Sequence, residues 1–171
     1  MSEAIRRTTQ AIALALLAWT TLACTNPASH DEAPMADTVT FGEQWATSAD
    51  SGMAAVFGTF TNTGHHDARI VAGSSPAAGR VEVHEVAADG TGGKSMRPKA
   101  GGVSIPAGGT HDLVPGGDHL MLMDLVEPLR PGADVTLTVE FEDGSTLPVT
   151  AQVRDFAGAG EEYHPAAAAH G

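Results

Sequence analysis

The sequence predicts an all-β domain over residues 38–156, a β-sandwich or Greek-key barrel of about eight or nine strands. Three observations carry this. Apolar residues return with period 2 between residues 38 and 155, as in strands with one buried face. Gly, Pro, Asn and Asp punctuate the runs at roughly ten-residue spacing, the rhythm of all-β folds. No long stretch shows the 3.6-residue period of an amphipathic helix. In chain order, TVTFGEQW (38–45) opens the series with Val39 and Phe41 alternating, and AAVFGTFT (54–61) follows, closed by the turn residues Asn62-Thr63-Gly64. Then come RIVAG (69–73), RVEVHEV (80–86), GVSIP (102–106), THDLVP (110–115) and HLMLMDL (119–125). DVTLTVEF (134–141) and STLPVTAQV (145–153) meet at Glu142-Asp143-Gly144-Ser145, a hairpin signal. The runs are short and rich in Val and Thr, residues that fit a pleated surface.

The chain has 171 residues, with 21 Asp+Glu against 9 Lys+Arg for a net charge of −12. That length suits one domain with short appendages. That charge argues against nucleic acid as a partner, because binding it requires basic surface to neutralise phosphates. Aromatic residues are 5%, so the core is built from Val, Leu, Ile and Ala. A single Cys excludes an internal disulfide and any all-thiolate zinc or iron–sulfur site. There is no Gly-rich phosphate loop, no GxSxG elbow and no internal repeat.

Residues 1–23 read as a signal peptide. Arg6 and Arg7 form its positive start, and the apolar run Ala11 to Leu22 is shorter than the roughly 20 residues of a membrane span. Cys24 follows directly and resembles the lipidated Cys of a bacterial lipobox, although Thr21 and Leu22 depart from that pattern. A chance Cys beside an ordinary cleavage site is the alternative. Either way the chain is expected outside the cytoplasm, in the cell envelope, and with a lipidated Cys24 anchored to the membrane. Residues 24–37 read as a flexible tether and the Ala/Gly-rich residues 157–171 as a disordered tail.

Two strands carry unusual chemistry. In RVEVHEV, Val81 and Val83 take the core face, which sends Glu82 and His84 to the other. In HLMLMDL, Leu120 and Leu122 take the core face, and His119, Met121 and Met123 share the opposite one. Both opposite faces are expected to point away from the core. Met96, between Lys94 and Pro98, is expected on an exposed turn. His84, Met96, His119 and Met121 make a set of two imidazoles and two thioethers. Soft thioethers select Cu(I), and imidazole binds copper too. Ca²⁺ and Mg²⁺ want oxygen ligands, and a blue-copper centre needs a Cys ligand that this chain has only at its export segment. The set therefore suits holding copper rather than passing electrons. Met123, His164 and His170 are possible auxiliary ligands, as are His30 and Met35 in the tether. Solvated side chains are the plainer reading for the tail and tether residues, and for His65, His66 and His111.

This constellation resembles the periplasmic copper-A chaperones (PCuAC), whose hallmark is a His, a Met about ten residues on, and about twenty residues later His-x-Met. Here the pattern runs His84, Met96, His119-Leu120-Met121, with 11 and 22 intervening residues, each about one longer than the family pattern. The likeness extends over roughly 40–155, including Trp45, Asn62-Thr63-Gly64, Ser74-Ser75-Pro76, Ile105-Pro106-Ala107-Gly108-Gly109 and the Pro115-Gly116-Gly117 turn before His119. The resemblance implies a cupredoxin-like fold and one Cu(I) per chain. It also implies partnership with cytochrome c oxidase subunit II and other copper carriers, the copper going to the copper-A centre. A copper-dependent redox enzyme and a surface β-sandwich interaction module are the alternatives.

Overall fold

All nine period-2 runs are strands in the computed structural model, which describes residues 33–88, 90, 92–156 and 162–163. The elements are α1 (Met35–Thr38), β1 (Val39–Thr47), β2 (Met53–Asn62), β3 (Ala68–Ser74), β4 (Ala78–Ala88), β5 (Lys94–Pro98), β6 (Val103–Ile105) and β7 (Thr110–Leu113). They continue with β8 (His119–Leu125), β9 (Asp134–Phe141), β10 (Thr146–Arg154) and β11 (Glu162–Tyr163). Among the described residues the strands thus number eleven rather than eight or nine, because β5 and β11 add to the nine read from periodicity. The signal segment and Cys24 lie outside the described residues, as do His30, His164 and His170.

Seven strands close on themselves. The order runs β4-β8-β2-β1-β10-β9-β3 and returns to β4 through a single pair, Gly73 with Val81. Strand β5 adds to β4, β6 to β3 and β7 to β2, while β11 runs parallel on β5. The all-β class stands, as a closed barrel with appended strands instead of two separate sheets. Closure removes open edges from the seven barrel strands. At the seam, a Cβ on Gly73 would lie 2.9 Å from the Thr138 carbonyl oxygen, so the close approach of β3 to its neighbours requires glycine.

The barrel interior is mostly aliphatic, as the composition leads one to expect, with Phe60 and Phe141 among it. Val56, Phe60, Ile70, Val81, Val83, Leu120, Leu122, Val139, Phe141 and Val153 are all buried in one cluster. Each such side chain contributes about 1.5–3 kcal/mol by leaving water. Strand β8 is buried on both faces from His119 to Met123, so something other than water covers its outer side.

The expected tether ends earlier than the sequence suggests. Residues 35–38 form one helical turn, and Met35 and Ala36 pack against the barrel core. The Met35 N–H donates to the Asp143 carboxylate at 2.8 Å, and the Ala36 N–H to the Ser145 hydroxyl at 3.0 Å. Burial works to raise the Asp143 carboxyl, but the bonds from Met35 and Ser145 outweigh it and hold it below its ordinary value. This corrects Met35 as an auxiliary metal ligand, since it belongs to the main core and not to the His/Met face. Within 157–171, read as a structureless tail, Glu162 and Tyr163 pair with Ser95 and Met96.

Candidate metal centre

The site is built on the outer face of β4, β8, β2 and β5. Because cross-strand partners share a face, register fixes who meets whom. His84 pairs directly with His119, and on its other side with Pro98. Met121 pairs with Glu82 on one side and Ala55 on the other. Met123 pairs with Met53, and Met96 with Val86. The two imidazole rings lie 5.7 Å apart between centroids, inclined at 65°.

This face does not point to solvent. His84 is 0% exposed, Met121 2%, His119 3%, Met123 3% and Met96 6%. Ala55, Phe57, Met96, Met121 and Met123 form a second apolar cluster, against which Trp45, Met53 and Val86 pack. Two expectations are corrected here. The alternation of β4 and β8 assigns their faces properly, but the face opposite the core is covered by a smaller core of its own. Met96 sits on strand β5 rather than on an exposed turn, buried in one cluster with Met121.

Strand β1 supplies part of the cover through an irregularity. Its register against β2 shifts between Gly42 and Trp45, with Glu43 in the left-handed region at φ 54°. The extra residue of a bulge flips the faces that follow. Trp45 thereby pairs with Phe57 on the outside while Ala46 pairs with Val56 inside. Phe156 completes the lid, with ring centroids 5.2 Å from Trp45 and 6.4 Å from Phe57.

The polar supports set the tautomers. A carbonyl only accepts, so the 3.0 Å contact between His119 Nδ1 and the Gly117 oxygen places the proton on Nδ1. His84 Nε2 lies 2.8 Å from the Glu82 carboxylate and donates to it. Burial works to raise the Glu82 carboxyl, but hydrogen bonds from His84 and Arg80, and their charges, prevail and hold it below the ordinary value. It therefore stays an ionised acceptor. In the neutral rings the lone pairs are left on His84 Nδ1 and His119 Nε2, both fully buried. A carboxylate or backbone carbonyl orienting a histidine by its second nitrogen is the usual support of a metal-binding imidazole.

Around this pair runs a charged frame. Lys99 bridges Glu85 at 3.0 Å and Asp118 at 3.1 Å, Arg97 holds Glu85 at 3.0 Å, and His111 reaches Asp118 at 3.0 Å. Glu85 and Asp118 adjoin His84 and His119 in sequence, so the frame ties together the two strands that present the rings. Hydrogen bonds from Lys99 and Arg97 hold the Glu85 carboxyl below its ordinary value, against a smaller opposing effect of burial.

The donor set fits a soft monovalent ion. Among the described residues no three His, Cys, Asp or Glu side chains gather as a metal-binding group, and the Glu82 carboxylate on this face is engaged with His84 and Arg80. His84, His119, Met96 and Met121 are each buried and share the outer face by register, with Met96 and Met121 in the second apolar cluster. Met123 lies farther along β8, beside Met53. His111 is engaged with Asp118 in the frame, and the His66 carbonyl accepts from Asn62. Sequence reading missed Glu82 as a support and Met53 as a neighbour. Met53 continues the alternation Met53, Ala55, Phe57, so starting β2 one residue earlier finds it.

Known proteins agree with this architecture. The family model described as "Putative lipoprotein LpqE-like" matches residues 39–153. The "Putative lipoprotein Lxx21020" of Leifsonia xyli subsp. xyli is 42% identical over 160 residues, covering 93% of this chain and 95% of that protein. The solution structure of CuI-DR1885 from Deinococcus radiodurans is 29% identical over 77% of this chain and 85% of its own, with a TM-score of 0.50. The copper-bound PCuAC domain from PmoF2 shares the fold at 16% identity, covering 73% of this chain and 98% of its own with a TM-score of 0.57. With its model matched from the first barrel strand to the last, this chain belongs to the LpqE-like family and folds as a PCuAC domain.

Proposed function

We propose that this chain is an exported copper chaperone that carries one Cu(I) on His84, Met96, His119 and Met121. The observation that supports it above others is the direct pairing of His84 with His119, each ring buried and oriented by its second nitrogen, on the face that also carries Met96 and Met121. A relative with recognisable sequence likeness was solved as its Cu(I) form. Two imidazoles and two thioethers stabilise Cu(I) over Cu(II), and among the described residues there is no Cys to make an electron-transfer centre. The chain then works by holding and releasing the ion through ligand exchange, without a redox step. By the family resemblance, the recipient is the copper-A centre of cytochrome c oxidase subunit II.

An anaerobic titration against a chromogenic Cu(I) chelator tests the reading. The expected result is one Cu(I) per purified chain, held far more tightly than Zn²⁺. No binding in competition with the chelator would overturn it.

The same proposal includes a lipid anchor at Cys24, supported by the lipoprotein descriptions of the family and of the relative. Among the described residues no helix is long and apolar enough to cross a membrane. Native protein is expected in the membrane fraction, and Cys24→Ser in the soluble fraction or unprocessed. One acyl chain binds only marginally, so stable partition calls for the diacylated form. A mature protein starting elsewhere, with no lipid by mass spectrometry, removes the anchor from the proposal.

A further inference from the structure

Beside the proposed ligands lies a pocket of about 200 Å³ with an unusual lining. Met53 from β2, Met96 from β5 and Met121 from β8 all face it, with Phe156, Thr47, Ser48 and Ala55 completing the wall. Thioethers from three strands thus converge on one small space. Met96 and Met121 are buried, and Met53 is only half-buried, at the pocket's outer side. A packing role alone does not call for this. A lone Met fills irregular gaps, whereas here three meet around a space that they leave open. The two imidazoles lie elsewhere on the face, and His84 is fully buried.

We propose that Met53 completes, with Met96 and Met121, a second copper(I) station made of thioethers alone, through which the ion enters and leaves the His84–His119 site. The inference rests on the copper-carrying reading above. Met96 and Met121 belong to both stations, so the ion moves without ever being free. As it crosses, its bonds to the two imidazole nitrogens break and a bond to Met53 Sδ forms. Copper stays Cu(I) throughout, and neither an oxidant nor a reductant is consumed. Three thioethers suit a soft d¹⁰ ion and exclude hard or borderline cations. The outer station holds the ion more weakly than the inner one, as an exchange point must. An acceptor reaches copper at Met53 without the buried histidines being exposed.

The test separates rate from affinity. Purified chain is loaded with Cu(I) anaerobically, and transfer to a chromogenic chelator is followed by stopped flow. Met53→Leu keeps the shape and apolarity of the side chain and removes the sulfur. It is expected to leave the equilibrium affinity within about threefold and to slow transfer about tenfold, as a lost exchange ligand acts on the off-rate. Met35→Leu, at a half-buried methionine packed on the barrel core away from the pocket, is the control and should transfer at the wild-type rate. In the His84→Ala/His119→Ala variant, Ag(I) should still bind, and adding Met53→Leu should remove that residual binding. Transfer from Met53→Leu at the wild-type rate, or equal slowing by Met35→Leu, overturns the outer station while leaving the copper-carrying reading intact. A wild-type chain that takes up no Cu(I) in the titration overturns both.

Discussion

Replacing His119 by Ala, or Met121 by Leu, should each weaken Cu(I) binding by more than about a hundredfold, and the double variant should fail to hold the ion against a chelator. That exceeds the roughly 10–100-fold cost of losing a supporting partner, the range expected for Glu82→Gln. Leu is chosen at Met121 because the side chain is only 2% exposed. Truncating a buried Met to Ala costs about 2–5 kcal/mol of stability, which would confuse lost ligation with lost folding, whereas Met to Leu costs under about 1.5 kcal/mol. The measurement is anaerobic competition, with the fold checked by thermal melting. Unchanged affinity in the double variant would mean that this face does not hold copper, however well its rings are oriented.

Affinity for Cu(I) should fall steeply as pH drops from 7 to 5. Copper needs the imidazole lone pairs that protons also take, while thioethers do not titrate in this range. The sign is fixed by that competition: below the imidazole range each bound copper must displace protons, so binding weakens by up to about one decade per pH unit for each histidine. Glu82 does not reverse this, since its carboxyl is held below the ordinary value and remains ionised throughout. Residual binding at low pH should come from the methionines. In the His84→Ala/His119→Ala variant the pH dependence should vanish with most of the affinity. Steep loss of copper in that variant between pH 7 and 5 would show that other groups hold the ion.

Much of the fold was legible because alternation reports faces directly. Val81 and Val83, and Leu120 and Leu122, fall inside the barrel as period 2 requires. What alternation does not report is what covers the opposite face. His84 and Met121 were expected away from the core, and they do leave the barrel interior. The second apolar cluster on that face joins residues of β1, β2 and β5 to those of β4 and β8, by contacts distant in sequence that no local pattern encodes. Strand β5 escaped because Lys94, Arg97 and Pro98 spoil its alternation, and its place is set by pairing with β4. The bulge at Glu43 is similarly silent, yet without its one-residue shift Trp45 would turn into the barrel. Glu82 read as a charged neighbour, and only the register shows it directly opposite Met121 and bonded to His84.

The parallel pairing of β1 with β10 has a consequence for the order of assembly. Trp45 lies beside Gln152, so the first strand made finds that neighbour only after roughly a hundred more residues, and such distant pairings slow folding. Hairpins such as β9–β10 can form as soon as they emerge, but the ring of strands cannot join until nearly the whole chain is available. The aromatic cover beside Phe57 shares this delay, because Trp45 comes from the first strand and Phe156 follows the last strand of the ring. A newly made chain therefore finishes its His/Met face late, and a chain cut short of β10 lacks the Phe156 that closes the aromatic cover.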